Sequence, residues 1–165
     1  MKCDACGAEF GPSQSGVVPY RCGLPNVTLV NVQVRRCTAC DNYAVDIPHV
    51  DALHRCLAHA VATRVGRLGA AEIKFLRKFL GLAGKDLAVR FKVEPETVSR
   101  WETGARPIPG PAEGLLRVLA LCERPVQDYA ALDGLLLRTR KAGPANPKVS
   151  ATPRGDTWAV EIGAA

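Results

Sequence analysis

Little in this chain suits a membrane protein, a secreted protein or an enzyme. No apolar run approaches the ~18 residues of a membrane span. The opening Met1-Lys2-Cys3-Asp4 lacks the charged and apolar regions of a signal peptide. A cytoplasmic location without membrane contact is the expectation. Histidine is scarce: His49, His54 and His59 stand five apart. That spacing scatters successive rings around a helix, so they do not converge on a metal. There is no His-Glu-x-x-His, no phosphate loop and no nucleophile beside a base, so no enzymatic activity is expected.

Cysteine, by contrast, is plentiful and ordered. Of seven cysteines, four fall in two pairs, Cys3-Asp4-Ala5-Cys6 and Cys37-Thr38-Ala39-Cys40. Each pair can present two thiolates from one tight turn, and two such knuckles complete a tetrahedral site for zinc. Four thiolates leave no position for a catalytic water, so the zinc is expected to be structural, with binding energy that serves as folding energy. Disulfides do not suit a cytosolic chain. A redox Cys-x-x-Cys needs a βαβ context that is not visible. Iron in a four-sulfur site is the minor metal alternative. Cys22, Cys56 and Cys122 have no such spacing and are assigned no chemistry.

Between the knuckles the apolar period is two. Val17 to Arg21 reads as an edge strand broken by Pro19, and Val27 to Arg35 as a clearer strand with Val30, Val32 and Val34 on one face. Tyr43 to Val45 offers a third. So small a sheet needs the metal to stand. From Asp51 the period becomes helical, with Leu53, Leu57, Ala60 and Val61 on one side. Ile73, Leu76 and Leu80 mark the next helix. In a later one Leu115, Leu116, Leu119 and Cys122 are expected to point inward. From Gly143 the composition turns to Pro, Ala, Lys and Ser, which reads as a mobile tail. The stretch Thr157 to Ile162 within it could form a lone strand that pairs with an edge or with a partner, or does nothing, and the last is the expectation.

The charge is placed unevenly. Residues 1–50 balance four basic side chains against four acidic ones, and the net excess of six lies in 51–142. That suits a phosphate backbone. Within that region, Lys85 to Phe91 reads as a short helix, Lys92 to Glu94 as a turn, and Pro95 to Thr103 as a second helix ended by Gly104. Two short helices with such a turn form the helix-turn-helix, whose second helix enters the DNA major groove. Glu96 and Thr97 lie on its first turn, where base contacts concentrate. Arg100 can fork onto guanine O6 and N7, while Lys85, Lys92 and Arg106 are placed to hold phosphates. Trp101 is expected to pack between helices, and Glu102 to brace the fold.

Leu87-Ala88, Val93 and Pro95-Glu96-Thr97-Val98-Ser99-Arg100-Trp101-Glu102-x-Gly104 resemble the phage-repressor, Cro or XRE-type helix-turn-helix. Where that family often carries Thr-Gln, whose amide grips a phosphate, this chain has Ala83-Gly84. The order of a four-cysteine ribbon followed by such a domain resembles the MqsA, or YgiT-type zinc finger, antitoxins. That resemblance rests on Cys3-x-x-Cys6, Cys37-x-x-Cys40 and the Ser99-Arg100-Trp101-Glu102 run, over about 1–122. It implies Cys3, Cys6, Cys37 and Cys40 as zinc ligands and Arg100 as a base reader. It also implies a toxin protein held by the N-terminal domain, and a homodimer that represses its own operon at a palindromic operator in double-stranded DNA. Glu96 stands where the family has a base-reading asparagine, which implies a different operator. The alternative is a stand-alone metal- or redox-responsive regulator.

The expected fold class is mainly α with a small β zinc-ribbon domain. The zinc ribbon occupies 1–48, a linker helix 49–69, a five-helix helix-turn-helix domain 70–141 and a mobile tail 142–165. A last helix at about Val126 to Arg140, with Tyr129, Leu132, Leu136 and Leu137, supplies apolar surface for a dimer face.

Overall fold

The computed structural model describes residues 1–122 and 147–163. In chain order the elements are β1 (Gln14–Pro19), β2 (Val27–Arg36), β3 (Tyr43–Asp46), α1 (Val50–Thr63), α2 (Ala70–Phe79), α3 (Gly84–Phe91), α4 (Pro95–Thr103), α5 (Gly110–Leu121), β4 (Lys148–Arg154) and β5 (Thr157–Gly163). The helix and dimer face expected at Val126 to Arg140 lie outside the described residues.

The mainly α expectation is corrected. Among the described residues strand makes up 27% and helix 38%, and the strands form one mixed sheet of five. β1 pairs antiparallel along most of β2. The other edge of β2 is shared: β3 pairs antiparallel at its Arg36 end, and β4 pairs in parallel at its Val27 end. β5 closes an antiparallel hairpin with β4. The stretch expected as a mobile tail therefore contributes two strands, and Trp158 on β5 is only 5% exposed. Its indole N–H donates to the Pro48 carbonyl at 3.0 Å, tying the hairpin to the junction of β3 and α1.

The strand parity expected on β2 also changes midway. Val27 and Leu29 are buried, then Val32 and Val34, while Val30 is half-buried. The register slips opposite Gly16 and Val17, leaving Asn31 as the extra residue with φ 60°. A bulge with one left-handed residue shifts the alternation by one, and asparagine tolerates that region well. Gly16 sits across from it because a Cβ there would lie 2.9 Å from Val34 Cγ2.

α1, expected as a linker, packs against β5, α2 and α5. Leu53, Leu57, Ala58, Val61 and Ala62 bury its inner face. A continuous apolar core runs from Leu29 and Val32 of the sheet through α1 to Leu76, Leu87, Trp101 and Leu116. His54 bridges the layers: its Nε2 lies 2.9 Å from the Tyr20 hydroxyl, and its ring meets Phe75 edge-on.

α5 is turned relative to expectation. Leu115 and Cys122 are exposed, while Glu113, Leu116, Arg117 and Ala120 are buried. The cause is electrostatic. Arg117 donates to Glu113 at 2.9 Å and to the carbonyls of Ala62 and Arg64 at 2.9 Å each, with a further bond to Gly66. Those carbonyls include orphan acceptors at the end of α1. Glu113 in turn accepts from the Leu68 N–H at 2.8 Å and from Arg67 at 3.0 Å. Arg64 pairs with the buried Glu72, which also receives the Gly69 N–H at 2.7 Å.

Two stability tests follow from this packing. Trp158→Ala is expected to cost about 3–5 kcal/mol in denaturant unfolding, and an unchanged midpoint would return residues 147–163 to the status of a tail. Arg117→Ala leaves Glu113 only Arg67 and the Leu68 N–H and takes the donor from the buried Ala62, Arg64 and Gly66 carbonyls. It is expected to cost a similar ~3–5 kcal/mol, whereas exposed Arg154→Ala should stay within about 0.5 kcal/mol.

Candidate metal centre and nucleic-acid interface

Four sulfur atoms converge at the Arg36 end of the sheet. The first knuckle is a turn in which the Gly7 N–H closes on the Cys3 carbonyl at 2.8 Å. Gly7 takes φ 76°, a conformation that costs other side chains energy. The second knuckle follows β2 directly, and Cys37 bridges back to Phe10. The four Sγ atoms all lie within 4.8 Å of one another. Cys3 and Cys40 are 3.7 Å apart and Cys6 and Cys37 3.4 Å. Tetrahedral coordination at a metal–sulfur distance of about 2.3 Å requires sulfurs roughly 3.8 Å apart. The four cysteines fit that demand and can hold a metal ion. Cys22, Cys56 and Cys122 stand apart from the cluster, and no histidine joins it among the described residues.

The sequence reading missed Asn42. Its amide donates to Cys3 Sγ at 3.5 Å, and the Ala39 N–H donates to Cys37 Sγ at 3.4 Å. The Asn42 hydrogen bond is the foremost reason the Cys3 thiol is held down at about 6. Thiolates are the metal-binding form, so such donors prepare the site. Only the position of Asn42, two residues past Cys40, hinted at this role. Opposing pressure falls on Cys40. There the backbone of Asn42 favours the thiolate, but hydrogen bonds with Cys6 and Cys37 push the group up to about 12. Without a cation, four crowded sulfurs cannot all ionise.

The second candidate is the pair α3 and α4. Leu87 and Ala88 of α3 and Val98 and Trp101 of α4 are buried. Phe91 and Trp101 meet with ring centres 6.4 Å apart, which places Trp101 in the core as expected. Lys92 closes α3 with φ 52°, and the Val93 N–H returns to the Ala88 carbonyl at 3.0 Å. Pro95 opens α4, and Gly104 ends it at φ 79°. Ala83 and Gly84 provide no side-chain cap. Asp86 instead accepts the Ala83 N–H at 3.0 Å. Glu102 braces the unit as expected: Arg77 forks onto its carboxylate and also donates to the Leu82 carbonyl at 2.7 Å.

The six residues singled out for DNA all belong to this unit. Glu96, Arg100 and Thr103 are exposed at spacings of four and three, on the face of α4 opposite Val98 and Trp101. Thr97 is half-buried. Lys85 and Lys92 are exposed at the two ends of α3, and Arg106 follows α4, its N–H bonded to the Arg100 carbonyl at 3.1 Å. Among the described residues, the Lys85, Lys92, Arg100 and Arg106 side chains form no hydrogen bond or ion pair. Arg64, Arg67, Arg77 and Arg117 are all engaged inside the protein. No helix among the described residues is long and apolar enough to cross a membrane. No protein-family model, curated protein or solved structure matches the chain.

Asn42→Ala is expected to weaken metal affinity by about 10–100-fold. Competition titration against a chromophoric chelator measures it, and an unchanged affinity would make Asn42 a bystander.

Proposed function

We propose that this chain is a sequence-specific DNA-binding transcription regulator, acting as a repressor. In this reading α4 is the recognition helix. The observation that carries it is the outward face of α4: Arg100 stands exposed and unpaired there, on a helix anchored from behind by Trp101 and by the Arg77–Glu102 ion pair. A rigid backing and a free guanidinium are what bidentate reading of guanine requires. Glu96, one turn earlier, can accept from cytosine N4. Lys85, Lys92 and Arg106 flank the helix where phosphates would run.

Zinc is the metal this reading assigns to the four-thiol site, in a structural role. Four thiolates close the coordination sphere, so the ion has no place for substrate or water. Antitoxin activity, with a toxin protein on the zinc-bearing end, extends the proposal through the family resemblance. A stand-alone regulator is the alternative. Co-purification with the product of the adjacent reading frame separates the two.

The test of DNA reading is a gel-shift series on the protein's own promoter and on random DNA. Arg100→Ala is expected to lose about 1–3 kcal/mol of discrimination between them. Lys92→Gly keeps the left-handed turn and removes one charge. It should weaken both equally and reduce the salt slope by about 1. Equal loss on both DNAs with Arg100→Ala would sink base reading by that residue.

A further inference from the structure

The edge strands β1, β3 and β5 are unlike, and β3 is only four residues long. β1 is protected as edge strands usually are: it ends in Pro19 and is kinked by the bulge opposite Gly16. β5 has neither device. Among the described residues it pairs only with β4, over seven residues, Thr157-Trp158-Ala159-Val160-Glu161-Ile162-Gly163, with Glu161 as the sole charge. A nearly neutral edge of that length, uncovered among the described residues, is a template for another strand.

The strand is also self-complementary. In an antiparallel pair with a second copy, a two-fold axis at Val160 engages all seven residues. On the face toward α1, Trp158 then meets the partner's Ile162, and Val160 meets its own counterpart. That is an unbroken apolar ladder of the kind that stabilises paired strands. On the other face Ala159 meets the partner's Glu161, so no like charges oppose. Ile162 is 36% exposed in the single chain, and this pairing would cover it.

A second observation points the same way. Beside the β5 edge runs an open groove of about 870 Å³, between α1 and Trp158, Val160 and Ile162. The α1 side of that groove carries Ala52, Cys56 and Ala60, one small residue per turn, flanked by Arg55, His59 and Thr63. The two-fold axis that joins the edges brings the second α1 to the same side of the sheet, and small side chains permit close approach of helices there. We propose that the protein forms a symmetric dimer through β5, giving a continuous ten-stranded sheet backed by both α1 helices. The inference stands on the sheet edge and does not require the DNA-binding reading.

The register gives it a signed test. Ala159→Glu places glutamate opposite the partner's Glu161 twice per dimer, while Ala159→Lys places an attractive pair at the same points. Sedimentation equilibrium of the full chain, without DNA, is expected to show a wild-type dimer. Ala159→Glu should dissociate about tenfold or more readily than Ala159→Lys, and 1 M salt should shrink that difference. A wild-type chain that stays monomeric at about 100 μM overturns the proposal. A dimer equally tolerant of both substitutions overturns it too, because association must then use another surface. Circular dichroism of both variants confirms that each remains folded before the comparison is made.

Discussion

The arrangement of this molecule depends on two charges in its core, Arg117 and Glu113. Both are fully buried and one helical turn apart on α5. Removing two such groups from water costs several kcal/mol per ion unless every donor and acceptor finds a partner. Here the partners are backbone groups of the segment between α1 and α2: the carbonyls of Ala62, Arg64 and Gly66, and the N–H of Leu68. Such groups have fixed positions once α1 ends. The network is complete in one docking of α5 against that turn, and a shifted docking strands a charge. Apolar contacts alone would tolerate neighbouring arrangements, so the ion pair sets the angle at which the helical layer meets α1.

From α1 the constraint passes to the sheet. α1 rests on β5, and β5 reaches β2 only through β4. β2 is thereby held at both ends on the same edge. At the Val27 end the parallel pairing with β4 secures it, and at the Arg36 end β3 and the cysteine knuckles do so. The cluster therefore anchors one end of a sheet whose other end is fixed by chain more than a hundred residues later. A free-standing ribbon would owe its whole fold to the metal. Here an apolar core built on Leu29, Val32, Trp158 and α1 also holds the sheet.

What was legible in the sequence was local. The Cys-x-x-Cys pairs were legible as one cluster because each pair's geometry is set within four residues and four such thiols suit a single metal ion. The turn at Lys92, the start at Pro95 and the stop at Gly104 were legible because each is a backbone requirement met by one residue. What escaped was non-local or parity-breaking. Asn31 resets the alternation of β2, so a single period misplaces Val30. Glu113 and Arg117 look like surface positions to any hydrophobic count, and the apolar residues taken alone point Leu115 and Cys122 inward. The hairpin of β4 and β5 follows a Pro- and Ala-rich stretch, and its parallel partner lies at Val27. Composition carries no sign of such a pairing, and only Trp158, too large to leave idle in a tail, pointed to it.

The same distinction governs the basic excess. A net charge of six suggests one cationic surface, but the described arginines divide by task. Arg64, Arg67, Arg77 and Arg117 all pair with glutamates, three of them in the interior or close to it. All four are arginine, whose planar fork satisfies a carboxylate and several carbonyls at once, as a lysine ammonium does not. The lysines Lys74, Lys78, Lys85 and Lys92 remain on the surface. Those four arginines meet three glutamates, so their pairing takes only one unit from the net excess of six and leaves the rest to other side chains. The useful cations are those that α3 and α4 leave unpaired, and Arg100 is the only described arginine on the α4 helix. If DNA is the partner, its specificity rests on that one guanidinium and on the carboxylate of Glu96 beside it. Such a pair favours a site with G and C close together, and of the internally paired arginines only Arg77, through Glu102, holds α4 itself.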